Sequence, residues 1–175
     1  MSKSAWTQGR TGISPHQDWY KVVEMAAALH MQFSNSKVVG ATGFKSPDDP
    51  HGEIWYYEHA FKSFGLLKDS DYVLIDRGID TITQFDEVIE YVNTHNGKLI
   101  VVCTPLHYSR MKFLCWWERN RVRVLEVVEA DKGIPRASEI KNDIIMKYAL
   151  PVIYLLGMKK LFLWYVYRRR AAGKL

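Results

Sequence analysis

The sequence contains little cysteine and no long uninterrupted hydrophobic run. Only two of its 175 residues are cysteines, Cys103 and Cys115. Both lie in apolar segments, which predicts buried, reduced thiols rather than a disulfide. The longest charge-free stretch towards the C-terminus, 148-YALPVIYLLGM-158, has eleven residues. A helix that crosses a membrane needs about 20 residues, so a single-pass anchor is not expected.

The sequence also lacks a secretory signal, a linker and an internal repeat. The first 17 residues contain no apolar core of the length that a signal peptide needs, which indicates a cytoplasmic protein. No Pro-rich or Gly/Ser-rich segment divides the chain, and its length suits one domain. We expect a flexible N-terminus over residues 1–13, one domain over 14–158, and a basic, aromatic helix or tail over 159–175.

Positive charge is concentrated at the C-terminus. The net charge is +5, and six cations lie in residues 159–175, which contain no acid. The rest of the chain is therefore close to neutral, so no specific nucleic-acid partner is expected. The aromatic residues Trp164 and Tyr165 beside these cations are typical of a helix on an anionic membrane surface. The alternative is a final helix that packs on the domain and exposes only its basic end.

Apolar strands alternate with amphipathic helices along the chain. Strands are predicted at 37–42, 72–76, 98–104 and 121–129, and helices over 14–33 and 53–64, from residues 80 and 105, and from about Ser138. This alternation predicts a three-layer, Rossmann-like α/β domain with a mainly parallel sheet flanked by helices. The helix near residue 80 is expected to begin with a capping box of Thr81 and Gln84. The loop 48-DDPHGE-53 carries acids and a histidine, but mixed ligands in one loop do not predict a metal site.

The segment 103-CTPLHYSRMKF-113 carries the strongest functional signal. Thr104 is a good helix N-cap and Pro105 a good first helical residue, which places His107 and Arg110 in the opening turns on one face. A helix N-terminus, an arginine fork and an imidazole together suit a phosphate or carboxylate group. The alternative interpretation is that His107 packs in the core and Arg110 is a solvated surface charge. Parallel α/β sheets bind ligands at the carboxyl ends of their strands, where this helix is expected to begin.

The run from Glu58 to Leu114 resembles the YdcF-like family, which includes ElyC and SanA. Glu58 matches the glutamate on the helix before a strand, Asp76 the acidic strand end, and Thr81 the threonine of the following turn. Three further residues match the family's Thr-Ser-x-x-His-x-x-Arg-type motif, namely Thr104, His107 and Arg110. Upstream, 38-VVGATG-43 is similar to the family's small-residue turn and adds Thr42 and Gly43. Gly78 and Asp80 differ from the family's serine and asparagine, and the first family strand is missing from residues 1–14.

The resemblance implies a small-molecule-binding domain that recognises a phosphate-bearing or nucleotide-like ligand. It implies His107, Asp76 and Asp80 as candidate catalytic residues, and S-adenosylmethionine or a nucleotide as a candidate cofactor. The candidate ligand-binding residues are Thr42, Gly43, Glu58, Thr81, Thr104 and Arg110. Characterised members of the family are linked to cell-envelope and lipid-carrier metabolism. The alternative is a non-catalytic relative with a degenerate site that binds a membrane surface or a protein partner. The sequence indicates neither the substrate nor the oligomeric state, and it leaves open whether the protein is an enzyme.

Overall fold

Helices and strands alternate through the computed structural model, which describes residues 18–33, 35–45, 51–133 and 137–171. The elements are α1 (Asp18–Gln32), β1 (Val38–Ala41), α2 (Glu53–Ser63), β2 (Tyr72–Ile75), α3 (Thr81–Thr94), β3 (Leu99–Cys103), α4 (Pro105–Trp117), β4 (Val124–Glu129), α5 (Ala137–Leu155) and α6 (Lys159–Ala171). The predicted mixed α/β class is confirmed. The predicted N-terminus over 1–13 and the helix start at Ser14 lie outside the described residues.

The strands pair in parallel but form two sheets. β1 pairs with β2 and β3 pairs with β4, both in parallel register. Within the described residues these are two separate two-stranded sheets, so β1 and β3 do not share a hydrogen-bonded edge. The single sheet expected from the strand pattern is therefore divided between β1 and β3. Pairing partners are set by contacts distant in sequence, which the local apolar runs do not encode.

Each sheet has its own hydrophobic core. The first core joins α1 and α2 to β1 and β2, and its largest buried side chains are Phe61 and Tyr72. The second core joins α3, α4 and α5 to β3, with Ile89, Leu114 and Leu150 at 1% exposure or less. α1 also contacts β3, and α3 contacts β1, so helices connect the two halves.

The helix starts follow local capping chemistry. Thr104 is the N-cap of α4 and Pro105 its first residue, as predicted. The capping box of α3, however, is formed by Asp80 and Thr83 instead of Thr81 and Gln84. The Asp80 carboxylate accepts hydrogen bonds from the backbone N–H groups of Ile82 and Thr83 at 2.9 and 3.1 Å. Aspartate is a stronger N-cap than threonine. Because Asp80 is the N-cap in place of Thr81, the helix begins one residue earlier than predicted.

The C-terminal helix is divided at Gly157, which adopts a positive φ of 67°. Pro151 lies inside α5 without ending it. Leu150 and Tyr154 of α5 are buried in the second core, whereas Leu155 and Leu156 are 71% and 65% exposed. The final segment is thus packed on one side and exposed on the other. Within the described ranges, no helix is both long and apolar enough to cross a membrane.

Candidate functional site

The first turn of α4 is held by its N-cap. β3 ends at Cys103, and the extended backbone of Thr104 turns the chain into the helix with φ −67° and ψ 157°. The Thr104 hydroxyl accepts a hydrogen bond from the His107 backbone N–H at 3.3 Å. This cap fixes the helix start directly after a strand, and it places His107 and Arg110 one helical turn apart.

Arg110 is a buried guanidinium with an incomplete set of partners. It is 8% exposed, and its Nη2 lies 3.8 Å from Asp143 Oδ1 of α5, beyond hydrogen-bond distance. Arg110 Nε and Asp143 Oδ1 are both buried without a hydrogen-bond partner in the part of the chain that the structure describes. Buried charged groups are normally saturated with hydrogen bonds. This pair therefore has a donor and an acceptor available for a further group.

The charges of this pair are shaped by burial. Burial lowers the pKa of Arg110, while the Asp143 carboxylate acts in the opposite direction. Burial also raises the pKa of Asp143, against the effects of Arg110 and Lys147. Both shifts mean that the ionised pair is costly to desolvate and is stabilised by any additional hydrogen bonds that it receives.

His107 is neutral at physiological pH. Burial, with the nearby charge of Arg110, lowers its pKa to about 3. Its ring has no hydrogen-bond partner among the residues that the structure describes. A neutral imidazole offers one N–H donor and one acceptor nitrogen, so in this state His107 can donate a hydrogen bond but is not a ready proton donor.

The stability of the protein should fall in acid because of His107. Its pKa of about 3 lies below the value of about 6.5 for an unfolded histidine, so the folded state binds fewer protons. The contribution of neutral His107 to the free energy of unfolding is complete above about pH 6.5. It is lost as pH falls towards 3, by at most about 1.4 kcal/mol per pH unit. Urea unfolding at pH 7, 5.5 and 4 should show a shallower decline for His107→Gln. His95 is exposed, so the free energy of unfolding of His95→Gln should fall with pH as that of the parent does. An equal pH dependence in the parent and both variants would contradict the role of His107.

A second group of predicted residues lies where β1 and β2 end. Thr42 is 1% exposed, and its hydroxyl donates a hydrogen bond to Glu53 Oε2 at 2.9 Å. The Gly43 backbone N–H donates to the Gly78 carbonyl oxygen at 2.7 Å, which joins the two loops. Sequence reasoning missed Glu53, although an acid in the first turn of the helix after β1 was a visible signal. This group stabilises the loops, and a ligand-binding role for Thr42 and Gly43 stays a prediction.

The remaining predicted residues have separate environments. Asp80 caps α3, and its second carboxylate oxygen accepts from the Thr83 hydroxyl at 3.0 Å. Asp76 is exposed after β2, and Thr81 is the first residue of α3. Glu58 forms an ion pair with Lys62 at 2.9 Å, and this hydrogen bond lowers its pKa. Asp80 and Glu58 therefore have structural partners, and their functional roles stay predictions.

The structure does not join these groups to the start of α4 by direct contacts. Across the described ranges, no hydrogen bond or ion pair connects His107 or Arg110 with Asp76, Asp80 or Thr81. The partner of Arg110 is instead Asp143, which sequence reasoning missed. The only sequence feature that could have indicated Asp143 is its place as a single acid directly before the apolar residues 144-IIM-146.

Gly78 is required by the turn between β2 and α3. Its φ is +75°, and a Cβ atom there would lie 2.6 Å from Gln84 N. Gly78→Ala should therefore lower the free energy of unfolding by about 1–2 kcal/mol for the backbone conformation, with a further loss from the backbone clash. Gly65→Ala is a matched control, since its φ is +76° and nothing lies within 4 Å of the added atom. Urea unfolding of both variants measures the difference, and equal losses would show that the turn tolerates the clash.

Metal and thiol chemistry receive no support from this geometry. The described residues contain no group of three histidine, cysteine or acidic side chains that could hold a metal ion. Residues 48–50 of the acidic loop lie outside the described residues. Cys103 and Cys115 are free and buried, as predicted. Burial raises the pKa of Cys103 to about 12 and that of Cys115 to about 11, so neither is a thiolate nucleophile at neutral pH.

Comparisons with known proteins do not assign a family. No family model matches the chain, and no solved structure matches it. Botulinum neurotoxin type E of Clostridium botulinum is 23% identical over 148 residues, which cover 75% of this chain and 11% of that protein. The same toxin type from Clostridium butyricum is 22% identical over 148 residues, again with 11% of that protein covered. The chain thus spans about a tenth of the length of these curated relatives, at an identity that shows no shared family.

Proposed function

We propose that the chain is a small-molecule-binding α/β domain that holds a phosphate group of its ligand at the start of α4. The observation that carries the proposal is Arg110, which is 8% exposed and leaves its Nε without a hydrogen-bond partner among the described residues. A helix N-terminus and a buried arginine fork are both adapted to oxyanions. A phosphate oxygen near Nε would complete the hydrogen bonding of the guanidinium.

The electrostatics of the site favour an anion over a neutral ligand. Burial works against the charge on Arg110, and a bound anion compensates that cost in surroundings of low dielectric constant. Asp143 opposes an anion when it is ionised, but burial raises its pKa. A bound phosphate would raise the pKa of Asp143 further, because like charges disfavour ionisation, and a protonated Asp143 can donate a hydrogen bond to a phosphate oxygen. The neutral His107 ring is a second donor from α4.

The proposed fold is a Rossmann-like domain similar to the YdcF-like family. Parallel pairing of β1 with β2 and of β3 with β4 supports it. In this arrangement the turn with Asp76, Asp80 and Thr81 belongs to the same ligand crevice as α4. Asp76 or Asp80 would then be a base and His107 would contact the phosphate. A nucleotide, S-adenosylmethionine or an isoprenoid phosphate of lipid-carrier metabolism is the proposed ligand class.

A thermal-unfolding panel tests this function. Inorganic pyrophosphate, ADP, S-adenosylmethionine and farnesyl phosphate are added separately, and a ligand present at 100 times its Kd should stabilise the fold by about 2.7 kcal/mol. Arg110→Lys keeps the charge but loses the planar fork, so its stabilisation by the phosphate compounds should decrease most. Arg119→Lys, in the exposed turn that follows the same helix, is the matched control. No stabilisation by any compound would contradict the proposal.

A second candidate function is attachment to an anionic membrane surface. It is favoured by an exposed apolar surface on α5 and α6, which we call the α5–α6 surface. Its residues are Ile144, Ile145, Tyr148, Val152, Leu155, Leu156, Leu161, Trp164, Tyr165 and Tyr167, each between 44% and 71% exposed. Arg168 lies over the Trp164 ring and Arg169 over the Tyr165 ring, at 5.3 and 5.8 Å. Exposed aromatic and aliphatic side chains beside cations fit an anionic lipid interface.

Vesicle sedimentation tests this second function. The protein should sediment with vesicles that contain 30% phosphatidylserine more than with pure phosphatidylcholine, roughly as expected from about 1 kcal/mol per cation near the surface. Leu155→Asp should weaken this binding. Leu67→Asp is the control, since Leu67 is 67% exposed but lies outside the α5–α6 surface. Equal sedimentation of all three proteins would favour a packed helix without a membrane role.

A further inference from the structure

A large cavity lies where β1 and β3 would meet in a continuous sheet. Its volume is about 880 Å³, and it is lined along both strands by Val38, Val39, Gly40, Leu99, Ile100 and Val102. Apolar side chains of α1 and α3 also line it, among them Ala26, Leu29, Val88 and Val92, and polar side chains such as His30, Gln32, His95 and Asn96 lie at the same end as Lys37 and Lys98. The residues just before β1 and just before β3, such as Lys37 and Lys98, also line it. The residues that directly follow β1 and β3 do not line the cavity. From this we infer that both strands begin at the same end of the cavity and run in the same direction.

The backbone edges that face this cavity have no ladder partner among the described residues. At the start of β1 and directly after its end, the backbone N–H groups of Val38 and Thr42 donate to the carbonyl oxygens of Asp71 and Ile75, which lie on the β2 side. Backbone groups of successive strand residues point to opposite sides, so those of Val39 and Ala41 point away from β2. In β3, Leu99 N–H donates to Arg123, and the Cys103 carbonyl accepts from Ala130.

The same alternation assigns the second open edge. Because Leu99 and Cys103 are directed to the β4 side, the backbone groups of Ile100 and Val102 face the other way. Two parallel strands thus present open edges on opposite sides of one apolar cavity. An inserted strand would lie about 4.8 Å from each of them and would pair along both. β1 and β3 contain four and five residues, which sets the length of an insert at about five residues.

We propose that this cavity is a docking site for an extended apolar segment of a second polypeptide, which inserts parallel to β1 and β3. Addition of a strand to an open edge is an established mode of peptide recognition. Here the insert would complete one five-stranded parallel sheet. A strand with neighbours on both sides and apolar side chains around it must itself be a continuous apolar run.

The chain's own residues outside the structure do not provide such a run. Residues 1–17 read MSKSAWTQGRTGISPHQ, and their longest apolar stretch is Ala5-Trp6. Residues 46–50 and 172–175 contain no run of five apolar residues either. These segments therefore do not supply the insert.

Charge at the cavity entrance adds to the description of this partner. Lys37 and Lys98 are exposed at the end where β1 and β3 begin. A parallel insert has its N-terminal flank at that end. Acidic residues directly before the apolar run would therefore be attracted to Lys98 and to Lys37, whose Nζ also donates to the Asp69 carbonyl oxygen at 2.6 Å. The partner segment is thus expected to be acidic first and apolar afterwards.

Backbone hydrogen exchange of the full chain tests the inference. The probe is the peptide acetyl-DDIVVIVGK-amide, and NMR follows the amides of Val39, Ala41, Ile100 and Val102. Peptide binding should slow their exchange by about tenfold or more, as new hydrogen bonds protect amides. The amides of Gly40 and Val101 point to β2 and β4 and serve as internal controls. The peptide acetyl-DDIVPIVGK-amide lacks a central N–H and should give little protection.

A pair of protein variants separates strand pairing from simple filling of the cavity. Val39→Pro removes a donor that faces the cavity while leaving the β1–β2 bonds in place, and it should weaken binding of the probe by about tenfold. Val39→Ala removes side-chain volume but keeps the donor, so it should bind more tightly than Val39→Pro.

Four results would overturn the proposal. Absence of probe binding is the first. Slow exchange of the four amides without peptide would show that the gap is closed or is filled by the chain's own residues. Protection that depends on protein concentration alone would identify a second copy of this chain as the occupant. Equal binding of the proline peptide would identify a cavity for apolar groups without strand pairing. This inference concerns the opposite strand ends from the phosphate site and does not depend on it.

Discussion

Arg110→Met should lower the free energy of unfolding by about 3–5 kcal/mol at pH 7, the range for breaking one side of a buried ion pair. Arg110 and Asp143 are 8% and 9% exposed, and their charges face each other at 3.8 Å. Without the guanidinium, the Asp143 carboxylate is left buried with no compensating charge from Arg110. Urea unfolding measures the loss. Arg77→Met is the control, because Arg77 is an exposed residue whose ion pair with Glu87 at 3.9 Å contributes about 0–1 kcal/mol.

The pH dependence of this loss has a defined sign. Burial already raises the pKa of Asp143 in the folded protein, so the folded variant binds more protons than the unfolded chain. The destabilisation of Arg110→Met should therefore be small below about pH 4, where the carboxyl group is protonated in both states. It should increase as pH rises through the folded pKa of Asp143. Adding Asp143→Leu should restore most of the stability at pH 7, and a double variant as unstable as Arg110→Met would contradict the pairing.

Leu114→Ala should lower the free energy of unfolding by about 2–5 kcal/mol, the range for large-to-small substitutions in a packed core. Leu114 is 0% exposed and belongs to the core that joins α3, α4 and α5 to β3. The lost methyl groups leave a cavity, because the surrounding side chains relax only partly into the space. Leu156→Ala is the control, since Leu156 is 65% exposed and should change stability by less than about 0.5 kcal/mol. Urea unfolding measures both, and similar losses would place Leu114 outside the core.

The local elements could be predicted because their signals are local. The strand β3 lies within the predicted 98–104 since its apolar run is uninterrupted. The start of α4 was predicted to the residue, because Thr104 and Pro105 are both strong signals at one position. α3 was misplaced by one residue, because Asp80, Thr81 and Thr83 all have side chains that can cap a helix and only their geometry selects Asp80.

The long-range features could not be predicted from the same signals. Asp143 lies 33 positions after Arg110, and no periodic pattern connects α5 with the first turns of α4. The division of the sheet between β1 and β3 depends on which edges pair, a property of the whole fold. The exposure of Leu155 and Leu156 was also hidden, since α5 is apolar on both its buried and its exposed sides.

The central claim is that Arg110 at the start of α4 holds a phosphate group. Its most direct test is an NMR titration of the Arg110 Nε–H resonance with inorganic pyrophosphate, with assignment by comparison with Arg110→Lys. This Nε atom is buried without a hydrogen-bond partner in the described structure. A new hydrogen bond to a phosphate oxygen should therefore shift its resonance in a saturable manner, while the Arg121 resonances remain less affected. A resonance that stays unchanged up to millimolar pyrophosphate would contradict the claim.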